Sequence, residues 1–311
     1  MNTLWTELKP GHKKQQMVRV EGTELSVPLT ALSGASDGPA ALITTGVHGS
    51  EYPATAAIIE LSQELQAAEL SGRLIMIHPL NVGAFKNRLS TIMPEDGTNL
   101  NRVFPGDPAG SFSARVAWWL TGLSDQADFY LDLHSGDLFE ELTPYVYYPG
   151  QAEEAVVEKS RAAAQVLDMP YLVRSNALTG AYNSAARRGT PSLLIERGGA
   201  GFCHAEEVKL YKRDVLNLLK HMGLMKGEPI APKEGPREMT KVIYLESKHE
   251  ACWRSEVSLG QAVRQGQTLG RVFDFFGQVI EEYQAEMDGV VLYQLRTLAT
   301  NPGDVLTAYG A

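Results

Sequence analysis

The chain has 311 residues, enough for a large core and, at roughly 100 to 200 residues per domain, for one large domain with a smaller one. With 44% hydrophobic and 21% charged residues the composition is that of an ordinary globular protein, and a formal net charge of -9 without a basic patch argues against nucleic acid as a partner. The polar start MNTLWTELKPGHKKQQ lacks a secretory apolar core, and no window approaches the roughly eighteen apolar residues of a membrane span, so a cytoplasmic protein with no membrane partner is expected.

Residues 16–30, QMVRVEGTELSVPLT, alternate apolar and polar positions around a glycine and predict a strand pair at a sheet edge, followed by a turn in SGASDGP. Residues 41–47 are almost uninterruptedly apolar, as a strand covered on both faces must be. A turn carrying His48 and Glu51 comes next, and 51–70 place Ala57, Ile58, Leu61, Leu65 and Ala68 at helical spacing before Ser71-Gly72. RLIMIHPLN is a second buried strand, completing a βαβ unit with parallel strands. Residues 83–110 have little periodicity and many Gly, Pro, Asn and Asp, the texture of a functional loop. A helix over 113–123, a strand over 128–133 ending at His134, a strand in TPYVYYPG, a helix over 153–167, a strand over 190–199 and a helix over 205–222 complete this part.

Residues 226–240, with three prolines and two glycines, predict a boundary between a catalytic domain over 1–228 and a second domain over 229–311. Beyond it the chain reads as short strands without a helix: KVIYLES, ACWRSEV, QTLGRVFDF, GQVIEEYQA, GVVLYQLRT and DVLTAYG. Cys203 and Cys252 are too few for a disulfide framework or a cysteine-based zinc site and read as reduced, structural residues, although Cys203 adjoins His204.

Ligand sites in α/β sheets lie at the carboxyl ends of strands, where His48 and Glu51 sit. His134 closes another apolar strand and is the natural third member of a His2Glu zinc set with an open position. Glu196 ends the run SLLIE before Gly198-Gly199 and suits a general base that takes a proton from zinc-activated water and passes it to a leaving nitrogen. Pairing with Arg197 is the competing role for Glu196, but strand alternation turns neighbours to opposite faces. The 83–110 loop supplies Lys86, Arg88 and Arg102, cations suited to a substrate carboxylate or to the oxyanion of a tetrahedral intermediate.

Taken together, GVHGSE, NVGAFKNR, NLNRVFPG, DLHSG and LLIERGG resemble the zinc-dependent aspartoacylase and succinylglutamate desuccinylase family of the metallocarboxypeptidase superfamily, over roughly residues 40–220 and more loosely beyond. The resemblance implies an α/β fold with a mixed, largely parallel central sheet and helices on both faces. It implies one Zn2+ per chain on His48, Glu51 and His134, with Glu196 as general base and acid. Arg88 becomes the polariser of the scissile carbonyl, and Asn101 with Arg102 the holder of the substrate carboxylate. Two departures stand out. Relatives often place an Asp behind the first ligand His where this chain has Asn99, a neutral acceptor that raises ligand basicity less. The Arg that binds the second carboxylate of aspartate has no match in register, Arg187 and Arg188 lying a residue or two off, which makes N-acetylated diamino acids candidates comparable to acidic acyl-amino acids. The C-terminal module resembles the barrel-sandwich fold of biotinyl and lipoyl carriers, but residues 272–287 contain no lysine to carry a prosthetic group. Tyr283 and Tyr293 are its candidates to reach the substrate.

The reading is a zinc-dependent hydrolase that cleaves the amide of a small N-acyl amino acid, with homo-oligomerisation left open. The alternatives are a metallocarboxypeptidase acting on peptide C-termini, distinguished by an open cleft, and a non-catalytic zinc- or ligand-binding protein.

Overall fold

The computed structural model describes residues 3–230 and 235–311, so part of the 226–240 linker lies outside the described residues. The alternating pattern near the start forms an antiparallel hairpin, β1 (His12–Arg19) and β2 (Ser26–Ser33). Next, β3 (Ser36–Thr45), α1 (Tyr52–Glu64) and β4 (Ser71–Pro79) make the expected βαβ unit, its strands parallel and adjacent. Helix α1 stops short of the predicted end. Leu65 turns extended and Gln66 and Glu69 cap each other across a short 3-10 turn, which lets Leu65 and Leu70 both reach the core.

Then come α2 (Val82–Asn87), α3 (Phe112–Ser124), β5 (Phe129–His134), β6 (Glu140–Pro149), α4 (Glu154–Ala164), β7 (Tyr171–Ser175), α5 (Ala181–Arg187), β8 (Ser192–Gly199) and α6 (Ala205–His221). Helix α2 sits inside the stretch read as irregular, because six residues are too few to show a helical period; Asn81 caps it by accepting from the Ala84 amide at 3.0 Å. The strands run in the order β1-β2-β4-β3-β5-β8-β6, with β4, β3, β5 and β8 mutually parallel. Alternation along the three central strands sorts the core into two layers. Ile43, Leu131, Leu133, Leu193 and Ile195 pack toward α1, α4 and α6, while Leu42, Tyr130 and Leu194 pack toward α3 and α5. Thr44, Asp132, His134 and Glu196 continue the second series and so share its face.

Arg197, sent by the same alternation away from Glu196, meets Asp214 of α6 at 2.6 Å with both side chains almost fully buried. Asp214 also accepts from the Asp168 amide at 2.8 Å, so the pair ties α6 to the sheet. Asp214→Ala leaves a buried, unpaired guanidinium, and denaturant unfolding is expected to show a loss of about 3–5 kcal/mol. An unchanged midpoint would mean that water replaces the partner without cost.

The C-terminal strands are β9 (Arg237–Met239), β10 (Val242–Glu246), β11 (Ala251–Ser255), β12 (Ala262–Val263), β13 (Thr268–Phe273), β14 (Val279–Gln284), β15 (Gly289–Leu295), β16 (Ala299–Thr300) and β17 (Val305–Gly310). The six strands read from the sequence are all present. One four-stranded sheet, β14-β13-β11-β16, stands apart, while β15, β17 and β10 extend the large sheet through antiparallel pairing of β15 with β6. Strand β6 accepts two neighbours on one edge, β15 along its first residues and β7 along its last, and β9 continues beyond β7. The C-terminal module is thereby sewn to the strand that borders β8. Among the described residues no helix is long and apolar enough to cross a membrane.

Candidate active site

The carboxyl ends of β3, β5 and β8 lie side by side, and each delivers a polar group to one point. The turn after β3 places His48 and Glu51. Gly46 takes φ +62 there, and a Cβ on Gly49 would come within 2.3 Å of the Ala84 backbone, so the turn can close against α2 only with glycine at 49. Glu51 then starts α1 with Pro53 behind it. His134 ends β5 and is in register with Glu196 on β8. The Tyr211 hydroxyl donates to the main-chain oxygens of His134 and Arg197, pinning these two strand ends together.

His48 Nδ1 faces Glu51 Oε1 at 2.7 Å, and His134 Nδ1 faces Glu51 Oε2 at 3.0 Å. Of the outward ring nitrogens, His48 Nε2 has Asn99 Oδ1 as its hydrogen-bond partner at 3.2 Å, whereas His134 Nε2 faces Asp132 Oδ2 at 3.3 Å, an ion-pair distance without a hydrogen bond. Asp132 is fixed in turn by the Thr44 hydroxyl, which donates to its Oδ1 at 2.6 Å from the adjacent strand. One ligand atom from each of His48, Glu51 and His134 can be chosen so that all lie within 4.8 Å of one another.

This donor set fits a divalent cation. Both Nδ1 atoms converge on one carboxylate, each Nε2 has an oxygen acceptor group behind it at 3.2 or 3.3 Å, and Glu51 Oε2 and His134 Nε2 are buried without a hydrogen bond. The electrostatics agree. Burial alone would lower the affinity of His134 for a proton, yet Glu51 and Asp132 outweigh it and hold the imidazole well above its usual pKa. Burial likewise works to raise Glu51, but His134 and His48 prevail and hold it below the usual carboxylate range. The pocket draws positive charge.

Glu196 stands beside this cluster with its Oε2 buried and unbonded. Burial pushes its carboxyl well above the ordinary range, against the opposing pull of His134 and with Glu51, Glu140 and Asp132 adding to the rise. That is the setting of a group that exchanges a proton near neutrality.

These residues open on a cavity of about 660 Å³ that also includes Asn101 and Arg102. Asn101 Oδ1 accepts from the Ala181 amide at 2.9 Å, which leaves its Nδ2 as the donor for a ligand. Arg88 is placed differently. It ends α2 in the left-handed region at φ 54, is exposed, and lines an adjoining cavity of about 650 Å³ that shares Thr91, Glu140, Tyr293 and Val305 with the first. Neither Arg187 nor Arg188 lines the catalytic cavity: Arg187 donates to the Leu178 carbonyl, and Arg188 pairs with Asp125 at 2.7 Å. Of the two tyrosines singled out, Tyr293 lines it, whereas Tyr283 is buried edge-to-face against Trp253. Cys203 is exposed at the surface, and the partial desolvation of its thiol together with nearby Glu207 and Glu60 raises it, so nothing activates it as a nucleophile.

Several contributors escaped the sequence reading. Asp132 was findable, since a carboxylate two residues before His134 on a strand shares its face. Tyr145 and Tyr147 of β6 line the cavity by the same period, Tyr145 being in register with Glu196. Arg174 on β7, Tyr244 on β10 and Lys241 gave no signal, because pairing of distant strands alone brings them there.

Residues 37–222 match the family described as the succinylglutamate desuccinylase/aspartoacylase catalytic domain. An N-alpha-acetyl-L-2,4-diaminobutyric acid deacetylase of Halomonas elongata is 32% identical over 289 residues, covering 90% of this chain and 84% of the relative. Among solved structures, a succinylglutamate desuccinylase/aspartoacylase from Rhodobacter sphaeroides superposes with a TM-score of 0.86 at 29% identity, covering 96% of this chain and 95% of that one. The product-bound ectoine utilization protein EutE (DoeB) from Ruegeria pomeroyi gives 0.85 at 28% identity, with 96% and 93% covered.

Proposed function

The chain belongs to the succinylglutamate desuccinylase/aspartoacylase family, and from that premise we propose that it is a zinc-dependent deacylase that hydrolyses the amide of a small N-acyl amino acid, an N-acetylated diamino acid in particular. The observation that carries the proposal is the convergence of His48, Glu51 and His134 beside a half-buried Glu196 whose Oε2 has no hydrogen-bond partner. His48, Glu51 and His134 hold the metal. Bound there, zinc would supply Lewis acidity, lowering the pKa of water and polarising the acyl carbonyl. Glu196 takes the proton of the attacking water and delivers it to the amine nitrogen as the C–N bond breaks, releasing the acid and the free amino acid. Asn101 Nδ2 and the Arg102 guanidinium receive the substrate carboxylate and fix which bond faces Glu196. Arg88 contributes to the oxyanion only when its exposed side chain turns across the wall that the two cavities share, which assigns it to the substrate-bound state.

A carboxypeptidase needs a cleft open to a peptide chain. Here Tyr244, Tyr293 and Val305 of the C-terminal module wall the cavity, and its volume suits a single acylated amino acid. The test is a hydrolysis screen of acetyl, formyl and succinyl amino acids with metal content measured on the same sample. Cleavage of peptide C-termini in preference to all of these would defeat the reading.

Asn99 gives a prediction of its own. Asn99→Asp puts a carboxylate behind His48, matching Asp132 behind His134, and is expected to tighten zinc binding about tenfold in competition with a chromophoric chelator. Unchanged affinity would show that the backing group at this histidine sets ring orientation alone.

A further inference from the structure

One carboxyl in the catalytic cavity has no part in the chemistry above. Glu140 begins β6 and opens on both the catalytic and the adjoining cavity. Its main chain is fixed by the strand that carries Glu196: the Ala200 amide donates to its carbonyl oxygen at 2.7 Å, and a Cβ at Gly199 would come within 2.2 Å of that oxygen. Its side chain accepts from the Asp137 amide at 3.3 Å and from the Tyr293 hydroxyl on β15. The charged groups that bear on it, Asp137, Glu51 and Glu196, are acidic, and no salt bridge among the described residues supplies it with a cation.

A carboxyl built into a substrate cavity without a protein cation is complementary to a ligand that brings one. We infer that Glu140, oriented by Tyr293, is the specificity residue of this cavity and receives the free side-chain ammonium of an N-acyl diamino acid. The inference rests on the deacylase reading and adds to it the group that chooses the substrate. Arg102 and Asn101 take the α-carboxylate, the zinc ligands and Glu196 face the amide, and Glu140 is left for the second amine. Burial, reinforced by Asp137 and Glu51, raises the Glu140 carboxyl to about 8, so it holds its proton in the free protein and gives it up when an ammonium arrives to stabilise the carboxylate. An acidic side chain, as in an N-acyl aspartate, brings no cation to draw the proton from Glu140 and so gains no ion pair there.

The test compares kcat/KM for N-acetyl-2,4-diaminobutyrate with that for N-acetylnorvaline, its uncharged isostere, on zinc-loaded protein. The unaltered chain is expected to favour the cationic substrate about 100-fold, and Glu140→Gln to lower that ratio at least about 30-fold, as the loss of a desolvated charge-assisted contact should. The ratio is its own control, since a merely structural defect moves both substrates together. A ratio unchanged in Glu140→Gln, or equal losses on both substrates, would overturn the inference. Should Glu140→Gln fail to fold, Tyr293→Phe carries the test, with a fall of about fivefold expected and an unchanged ratio overturning it. Hydrolysis of N-acetylnorvaline without any cationic preference sinks the role of Glu140 while leaving the deacylase reading intact. No hydrolysis of any N-acyl amino acid removes both.

Discussion

His48→Ala and His134→Ala are each expected to strip the protein of its zinc and to lower hydrolysis by at least about a thousandfold. The two imidazoles are two of the three proposed ligand groups, and a site with one nitrogen and one carboxylate has neither the number nor the softness of donors that zinc requires. The loss of rate follows from the loss of Lewis acidity, which contributes several kcal/mol of charge stabilisation to such reactions. Elemental analysis of dialysed protein beside a rate measurement checks both halves. Stoichiometric zinc in both variants would place the metal elsewhere. The effects should also differ in degree, because His134 is backed by the Asp132 carboxylate and His48 by the neutral Asn99 amide, so His134→Ala removes the more basic ligand.

Glu196→Gln is expected to keep zinc at one equivalent and to lower kcat by about 10²–10⁴, with KM changed little. The amide preserves size and hydrogen bonding but carries no exchangeable charge, so what disappears is proton transfer from water to the leaving amine. Glu196 lies in register with His134 on a strand whose next residue, Arg197, is already paired with Asp214 on the other side of the sheet. No structural role on the site face competes for its carboxylate. A variant that retained most of its kcat would transfer the general base to another carboxyl of the cavity, of which Glu140 is the one at hand.

How much of this was visible beforehand follows from the kind of information each element carries. Strands β3, β5 and β8 are buried on both faces and therefore read as apolar runs, and a His or Glu that ends such a run stands out. Their adjacency could only be supposed, and it is the parallel pairing of β5 with β3 and with β8 that turns three strand ends into one site. Asn99 behind His48 came from its place in a motif and is where the structure puts it. Short elements were opaque: α2 and α5 are under two turns long, and β7 has only five residues, with Arg174 among them. Contributions from the C-terminal module were the least legible. Tyr293 and Tyr244 reach the cavity because β15 joins β6 edge to edge, a contact between segments about 150 residues apart that leaves no local trace.

The most direct measurement is a zinc titration of chelator-treated protein, following hydrolysis of N-acetyl-2,4-diaminobutyrate and bound metal on the same samples. Activity should be absent without metal, rise in proportion to bound zinc, and level off at one equivalent per chain. Full activity in the metal-free protein, or one equivalent of zinc with no hydrolysis of any N-acyl amino acid, would contradict a metal-centred deacylase built on His48, Glu51, His134 and Glu196.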